Sequence, residues 1–220
     1  MEKLLLSGKF KQISNQKKGE TGFTLIELLV VTLMIGVIAA IAAPGWLGFV
    51  NQRRVTAAND VVLRSLQEAQ SKAKKEKVKY SVSFRSEQGK VPEIAIYPDI
   101  NNINPSTIAA NGWKSLGQDL AFKPGQVILG TNLSGNNKAD TGSAKYNLNN
   151  SNNFKITFDY MGVLDPKPEF PDNPNNDALI VEVAAQNRSS FTALASTRRC
   201  VKIYTLLGSM QPGRGNECNP

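Results

Sequence analysis

The chain has 220 residues, 26 basic and 18 acidic, for a net charge of +8, and it contains no histidine. It therefore lacks the commonest general base and the commonest ligand of catalytic metals. It also holds no nucleotide-binding glycine loop, no G-x-S-x-G and no paired-cysteine metal spacing. Loss of residues 1–22 would remove five lysines and two glutamates and leave +5, too modest an excess to argue for nucleic acid by itself.

Residues 1–22 are basic, with Lys3, Lys9, Lys11, Lys17 and Lys18. Residues 23–50 read as a membrane-spanning helix. From Leu28 to Leu47 the chain carries no charge, and Thr32 is the notably polar residue. At about 1.5 Å per residue this run spans about 30 Å, the thickness of a bilayer core. Glu27 sits at the fifth position of the apolar stretch. A carboxylate inside a membrane helix costs about 2.5–3.5 kcal/mol on insertion scales, so it needs a use. The positive flank keeps residues 1–22 cytoplasmic and puts residues after about 50 across the membrane; Arg53 and Arg54 oppose this with less charge. Pro44 falls late in the span and is expected either to bend or unwind residues 40–44 or to be tolerated there.

Residues 51–79 continue the helix. Val55, Ala58, Val62, Leu66, Ala69 and Ala73 recur at three- and four-residue spacing and form one apolar stripe for burial. Arg64, Lys72, Lys74, Lys75 and Lys79 lie mostly off it, most simply as a solvated face, with anionic lipid heads, acidic neighbours in a filament or DNA as alternative contacts. Residues 80–220 read as a β-rich domain. Strand-like runs occur at 78–84, 93–97, 126–129, 154–158, 178–185 and 200–206. Between them, residues 99–112 and 131–153 are rich in Asn, Gly and Ser and are expected to be long surface loops, and residues 165–177 form a third loop with four prolines. The fold class is α+β, a long N-terminal helix packed on a C-terminal antiparallel sheet.

The junction Lys18-Gly19-Glu20-Thr21-Gly22, followed by Phe23-Thr24-Leu25-Ile26-Glu27, closely resembles the leader of type IV pilins and type II secretion pseudopilins. The resemblance implies cleavage between Gly22 and Phe23 by a prepilin peptidase, and methylation of the new amino group of Phe23. It implies that Glu27 helps subunits join a filament, its partner being a neighbour's terminal ammonium. It further implies other pilins or pseudopilins and an inner-membrane assembly platform as partners, and an exported domain on the periplasmic side. A finer similarity is to the group of minor pseudopilin H and the minor pilin FimT. It rests on the early strand Val78 to Phe84, the turn Phe158-Asp159-Tyr160-Met161-Gly162 and the segment Arg199 to Gly208.

Outside the cytoplasm, Cys200 and Cys218 are expected to pair, since Gly208, Pro212, Gly213 and Gly215 between them let the chain turn back. A cysteine-based active site would lack a histidine to activate it. FimT-like proteins also include members that bind DNA through a C-terminal Gly-Arg-x-Arg motif. Here the matching turn is Gly208-Ser209-Met210-Gln211, with serine in the arginine's place. Arg198, Arg199, Lys202 and Arg214 remain as candidate polymer-binding residues, enough for a weak, salt-sensitive phosphate contact. Asp165, Asp172 and Asp177, with Asn173, Asn175 and Asn176, share one loop, but their spacing matches no EF-hand and reads as a polar proline-rich loop. No metal or other cofactor is expected. The whole reads as a minor structural subunit of a pilus or pseudopilus rather than an enzyme, with a FimT-like minor pilin that binds DNA or another extracellular polymer as the alternative.

Overall fold

The computed structural model describes residues 22–118, 122–140, 142, 144–149, 154–170, 178–187 and 189–218, with backbone alone at 43 and 44. The leader lysines lie outside the described residues, as do Asp172, Asn173, Asn175, Asn176 and Asp177. The chain divides into two units, Met1–Pro44 and Gly45–Pro220. The described part of the first is the opening of helix α1, Leu25–Glu76, whose backbone stays helical through Pro44.

In the second unit α1 meets ten strands. They are β1 (Tyr80–Arg85), β2 (Glu93–Pro98), β3 (Trp113–Ser115), β4 (Val127–Thr131), β5 (Leu133–Gly135), β6 (Lys138–Ala139), β7 (Lys155–Phe158), β8 (Leu179–Ala185), β9 (Arg199–Ile203) and β10 (Met210–Arg214). They form two four-stranded antiparallel sheets, in the orders β3-β2-β1-β7 and β10-β9-β8-β4, and the hairpin β5-β6. The fold is therefore a long, initially apolar helix followed by an antiparallel β domain.

The helix stripe packs on both sheets. Val55, Ala58, Val62, Leu66, Ala69 and Ala73 are all inaccessible and share one core with Val82, Leu129, Phe158, Val181 and Val201. Arg64, Lys74 and Lys75 are exposed. The helix ends three residues earlier than its sequence pattern predicts. Lys77 takes a left-handed backbone (φ 59°) and its N–H reaches the Ala73 carbonyl at 3.0 Å, which closes the last turn.

The far face of the first sheet is polar, because alternate residues of β1 point away from the helix. Ser81 donates to Asp99 at 2.6 Å, and Ser83 shares a hydrogen bond with Tyr97 at 2.8 Å. Opposite Ser83 in the ladder is Lys155, fully buried. Its ammonium meets Asp99 at 2.6 Å, Asn102 Oδ1 at 2.8 Å and the Ile103 carbonyl at 2.9 Å, so all three of its protons have acceptors. The backbone N–H of Ile103 donates to the other Asp99 oxygen. Removing one partner of such a pair strands a buried charge.

The region 131–153 is not simply a surface loop. Asn132, Leu133, Asn137 and Leu148 are fully buried in it. Two asparagine carboxamides stand in for strand backbone. Asn132 donates to the Ala178 carbonyl at 3.0 Å and accepts from Ile180 N–H at 2.8 Å. Asn137 donates to the carbonyls of Thr157 and Pro166 and accepts from Thr157 N–H, at 2.9–3.0 Å. The residues that read as loop-formers are used here to close the sheet margins.

Candidate functional site

Gly22, Phe23 and Thr24 precede the helix without regular structure. Phe23 is 84 % exposed, and the space where a side chain would stand at Gly22 is empty to 4 Å. The Gly22–Phe23 bond is thus open to solvent in the free chain. Thr24 caps the helix: its hydroxyl accepts from Glu27 N–H at 3.3 Å, and its carbonyl accepts from Leu28 N–H at 3.2 Å. Thr24-Leu25-Ile26-Glu27 has the spacing of a capping box, with threonine at the cap and glutamate three residues on. Sequence reasoning missed Thr24, although this spacing was the signal for it. Glu27 lies in the first turn, where a carboxylate also favours the positive end of the helix dipole.

Beyond the cap, Leu25–Ala42 has a mean hydropathy of 2.7, and none of its residues is buried within the chain. Leu25 is 84 % and Ile41 77 % exposed. The stretch is long and apolar enough to cross a bilayer, and helices satisfy their own backbone groups there.

Residues 17–43 match the family described as the prokaryotic N-terminal methylation motif. It is also similar to the type IV major pilin protein PilA of Myxococcus xanthus (strain DK1622), 38 % identical over 82 residues, 37 % of this chain and 36 % of that protein. The chain therefore spans about a third of the length of this curated relative. No solved structure matches it. The matched segment spans Gly22, Phe23 and Glu27.

At the other end, the structure pairs Cys200 with Cys218 in a disulfide, Cα atoms 5.6 Å apart. With Ala178 and Ile180 they make a small cluster on the outer face of the second sheet. The candidate basic residues divide between faces. Arg199 and Arg214 are directly opposed in the β9–β10 ladder, on the same side as Val201 and Ile203, which belong to the helix-facing core. Lys202 alternates to the outer face with Cys200, and its ammonium lies 5.9 Å from the Tyr204 ring centroid. Arg198 is held at 3.1 Å by the buried Glu182. Burial pushes the Glu182 carboxyl above its ordinary value, opposed by the Tyr146 hydroxyl, which donates to it at 2.6 Å, and by Arg198. Burial, and then Glu182, push Tyr146 upward.

The Phe158–Gly162 turn and Gly208, far apart in sequence, meet on the helix. Gln70 donates to the carbonyls of Gly162 at 2.8 Å and Leu207 at 3.1 Å. Leu164 N–H reaches the Leu206 carbonyl at 2.9 Å. Both glycines are left-handed (φ 79° and 71°). Among the described residues no group of three or more His, Cys, Asp or Glu could hold a metal ion.

Proposed function

We propose that the chain is a structural subunit of a type IV pilus or a related pseudopilus. The exposed Gly22–Phe23 bond ahead of a capped, unburied apolar helix carries this reading, together with the methylation motif over it. In this reading prepilin peptidase removes residues 1–22 and Phe23 is N-methylated. Residues 23–50 anchor the subunit in the inner membrane, with residues 80–220 on the periplasmic side. An assembly platform then draws the apolar helix from lipid into a bundle of like helices, where other subunits cover the surface that lipid covered before. Glu27 sets the register by meeting a neighbour's terminal ammonium. The likeness of the Phe158–Gly162 turn and the Arg199–Gly208 segment to the pseudopilin H and FimT group supports a minor, low-copy place in the filament. The division of the basic residues between two sheet faces weighs against DNA binding at the C-terminus as the main role.

Intact mass and N-terminal fragment spectra of protein recovered from membranes test the reading. They should show a chain beginning at N-methylated Phe23. A mature chain that still begins at Met1 overturns it.

A further inference from the structure

The base of the β domain carries a basic and aromatic cleft that the pilus reading leaves unused. Phe49, Gln52, Arg53, Thr56 and Asp60 of α1 line it on one side, and Arg199 of β9 on the other. Its volume is about 550 Å³. All of it belongs to the unit Gly45–Pro220. Arg199 is half-buried, lies opposite Arg214 in the ladder, and has no ion-pair partner among the described residues. Thr56 is already engaged through its hydroxyl with the Gln52 carbonyl at 2.9 Å. Asp60 is the one carboxylate in the lining.

The position of these groups along α1 identifies the ligand. The uncharged residues Leu28–Leu47 span about one bilayer core, and the first charge beyond them is Arg53. Trp46 and Phe49 are 65 % and 47 % exposed, with ring centroids 5.9 Å apart, an aromatic pair at the end of the apolar stretch. Helical side chains lean toward the N-terminus, and Arg53 does so: its guanidinium lies 4.9 Å from the Phe49 ring centroid, one turn back. Its charge is therefore level with Phe49, about 3 Å past Leu47 along the axis. The headgroup layer on each side of a bilayer is roughly 5–7 Å thick, so the guanidinium falls within it. Asp60 lies seven residues further on, about 10 Å deeper into the domain, away from that layer.

We propose that this cleft binds the phosphate of an anionic phospholipid headgroup between Arg53 and Arg199, with Trp46 and Phe49 against the upper acyl chains. A free phosphate would have the same charge, but the aromatic pair and the adjoining apolar run give a lipid its second contact. The proposal rests on the membrane reading of residues 23–50. It makes the site a docking point for the stored subunit, to be vacated when the helix leaves the bilayer.

The test uses the full chain in nanodiscs and vesicles of phosphatidylcholine, with or without phosphatidylglycerol. Flotation first asks whether the chain inserts in either. Native mass spectrometry then counts the lipids that stay bound. Preferential retention of phosphatidylglycerol is expected, reduced about tenfold in Arg53→Gln/Arg199→Gln and clearly reduced in Arg53→Gln alone, an exposed position that leaves the core intact. Lys74→Gln/Lys75→Gln, with the same charge loss at the far end of the helix, should retain it fully. Equal retention of both lipids, an equal loss in the lysine control, or displacement of the lipid by inorganic phosphate overturns the proposal and leaves the membrane reading standing. Failure to float with either vesicle overturns both.

Discussion

Asn137 has a left-handed backbone (φ 51°), no accessible surface, and a carboxamide whose three hydrogen bonds all go to main chain. Alanine at this position would orphan the buried Thr157 N–H and take a donor from the carbonyls of Thr157, which keeps the Asp165 N–H, and Pro166, and would itself sit poorly at positive φ. Asn137→Ala is expected to cost about 3–5 kcal/mol in urea unfolding. Asn137→Gly relieves the backbone but not the orphaned groups and should recover only a minor part. Glu182 is governed by pH. Its folded carboxyl titrates above its unfolded value because it is buried, so the folded state holds the proton more tightly. That stability is present below the unfolded value, near 4.5, and is lost as pH rises through the folded one. Melting temperatures of wild type and Glu182→Gln should therefore diverge between pH 4 and pH 7, with wild type losing ground toward pH 7. Parallel curves would show that Arg198 and Tyr146 fully offset the burial.

At the scale of elements, the meeting of two turns on α1 is the most sensitive point. At Gly208 an added methyl would stand 2.9 Å from the Phe158 ring and from Gln70 Nε2, in a left-handed backbone. The ring is in the core and cannot yield as a surface chain would. Gly208→Ala should lower stability by about 2–4 kcal/mol, whereas at Gly162 the nearest atoms belong to the flexible end of Lys74, so Gly162→Ala should cost less, mainly for its φ. Denaturant midpoints of the two variants decide this. The same elements show what the sequence could reveal. The stripe from Val55 to Ala73 was readable because nineteen residues of regular spacing leave one face to bury. Six strands were readable from β-branched runs. The strands β3 and β10, WKS and MQPGR, were not, because their partners rather than their composition make them strands. Nor could sequence show that Lys155 is buried, or that asparagines in an apparent loop serve as backbone: both depend on partners some 20 to 56 positions away. At the junction, Gly22, Phe23 and Glu27 were legible as a motif, while Thr24's cap was written in the same four letters and passed over.

For the whole molecule, the two demands on Glu27 can be separated. Within one chain it completes the first turn and meets the helix dipole, a contribution of about 0.3–1 kcal/mol. In the proposed filament it finds a cation. Glu27→Ala should leave leader cleavage and membrane insertion at wild-type levels and abolish recovery of the subunit in sheared filaments. Glu27→Gln keeps the shape without the charge and should behave like alanine. Wild-type recovery of either variant would remove Glu27 from assembly.

The margins of the two sheets carry a consequence for how such a chain multiplies. β3 is three residues long, too short to template a partner. The outer side of β7 is occupied by the Asn137 carboxamide and by Leu164, bridged to Phe158. The Lys145–Thr131 bridge covers part of β4. β10 has Pro212 in its middle, which offers no N–H to an incoming strand. A protein held at high local density with open margins would be drawn into edge-to-edge aggregation. Among the described residues these margins are blunted, and the longest exposed apolar stretch lies on a helix, which satisfies most of its own backbone groups. In the proposed filament subunits meet through that helix, so the domain can be crowded along a fibre without edge-to-edge strand pairing.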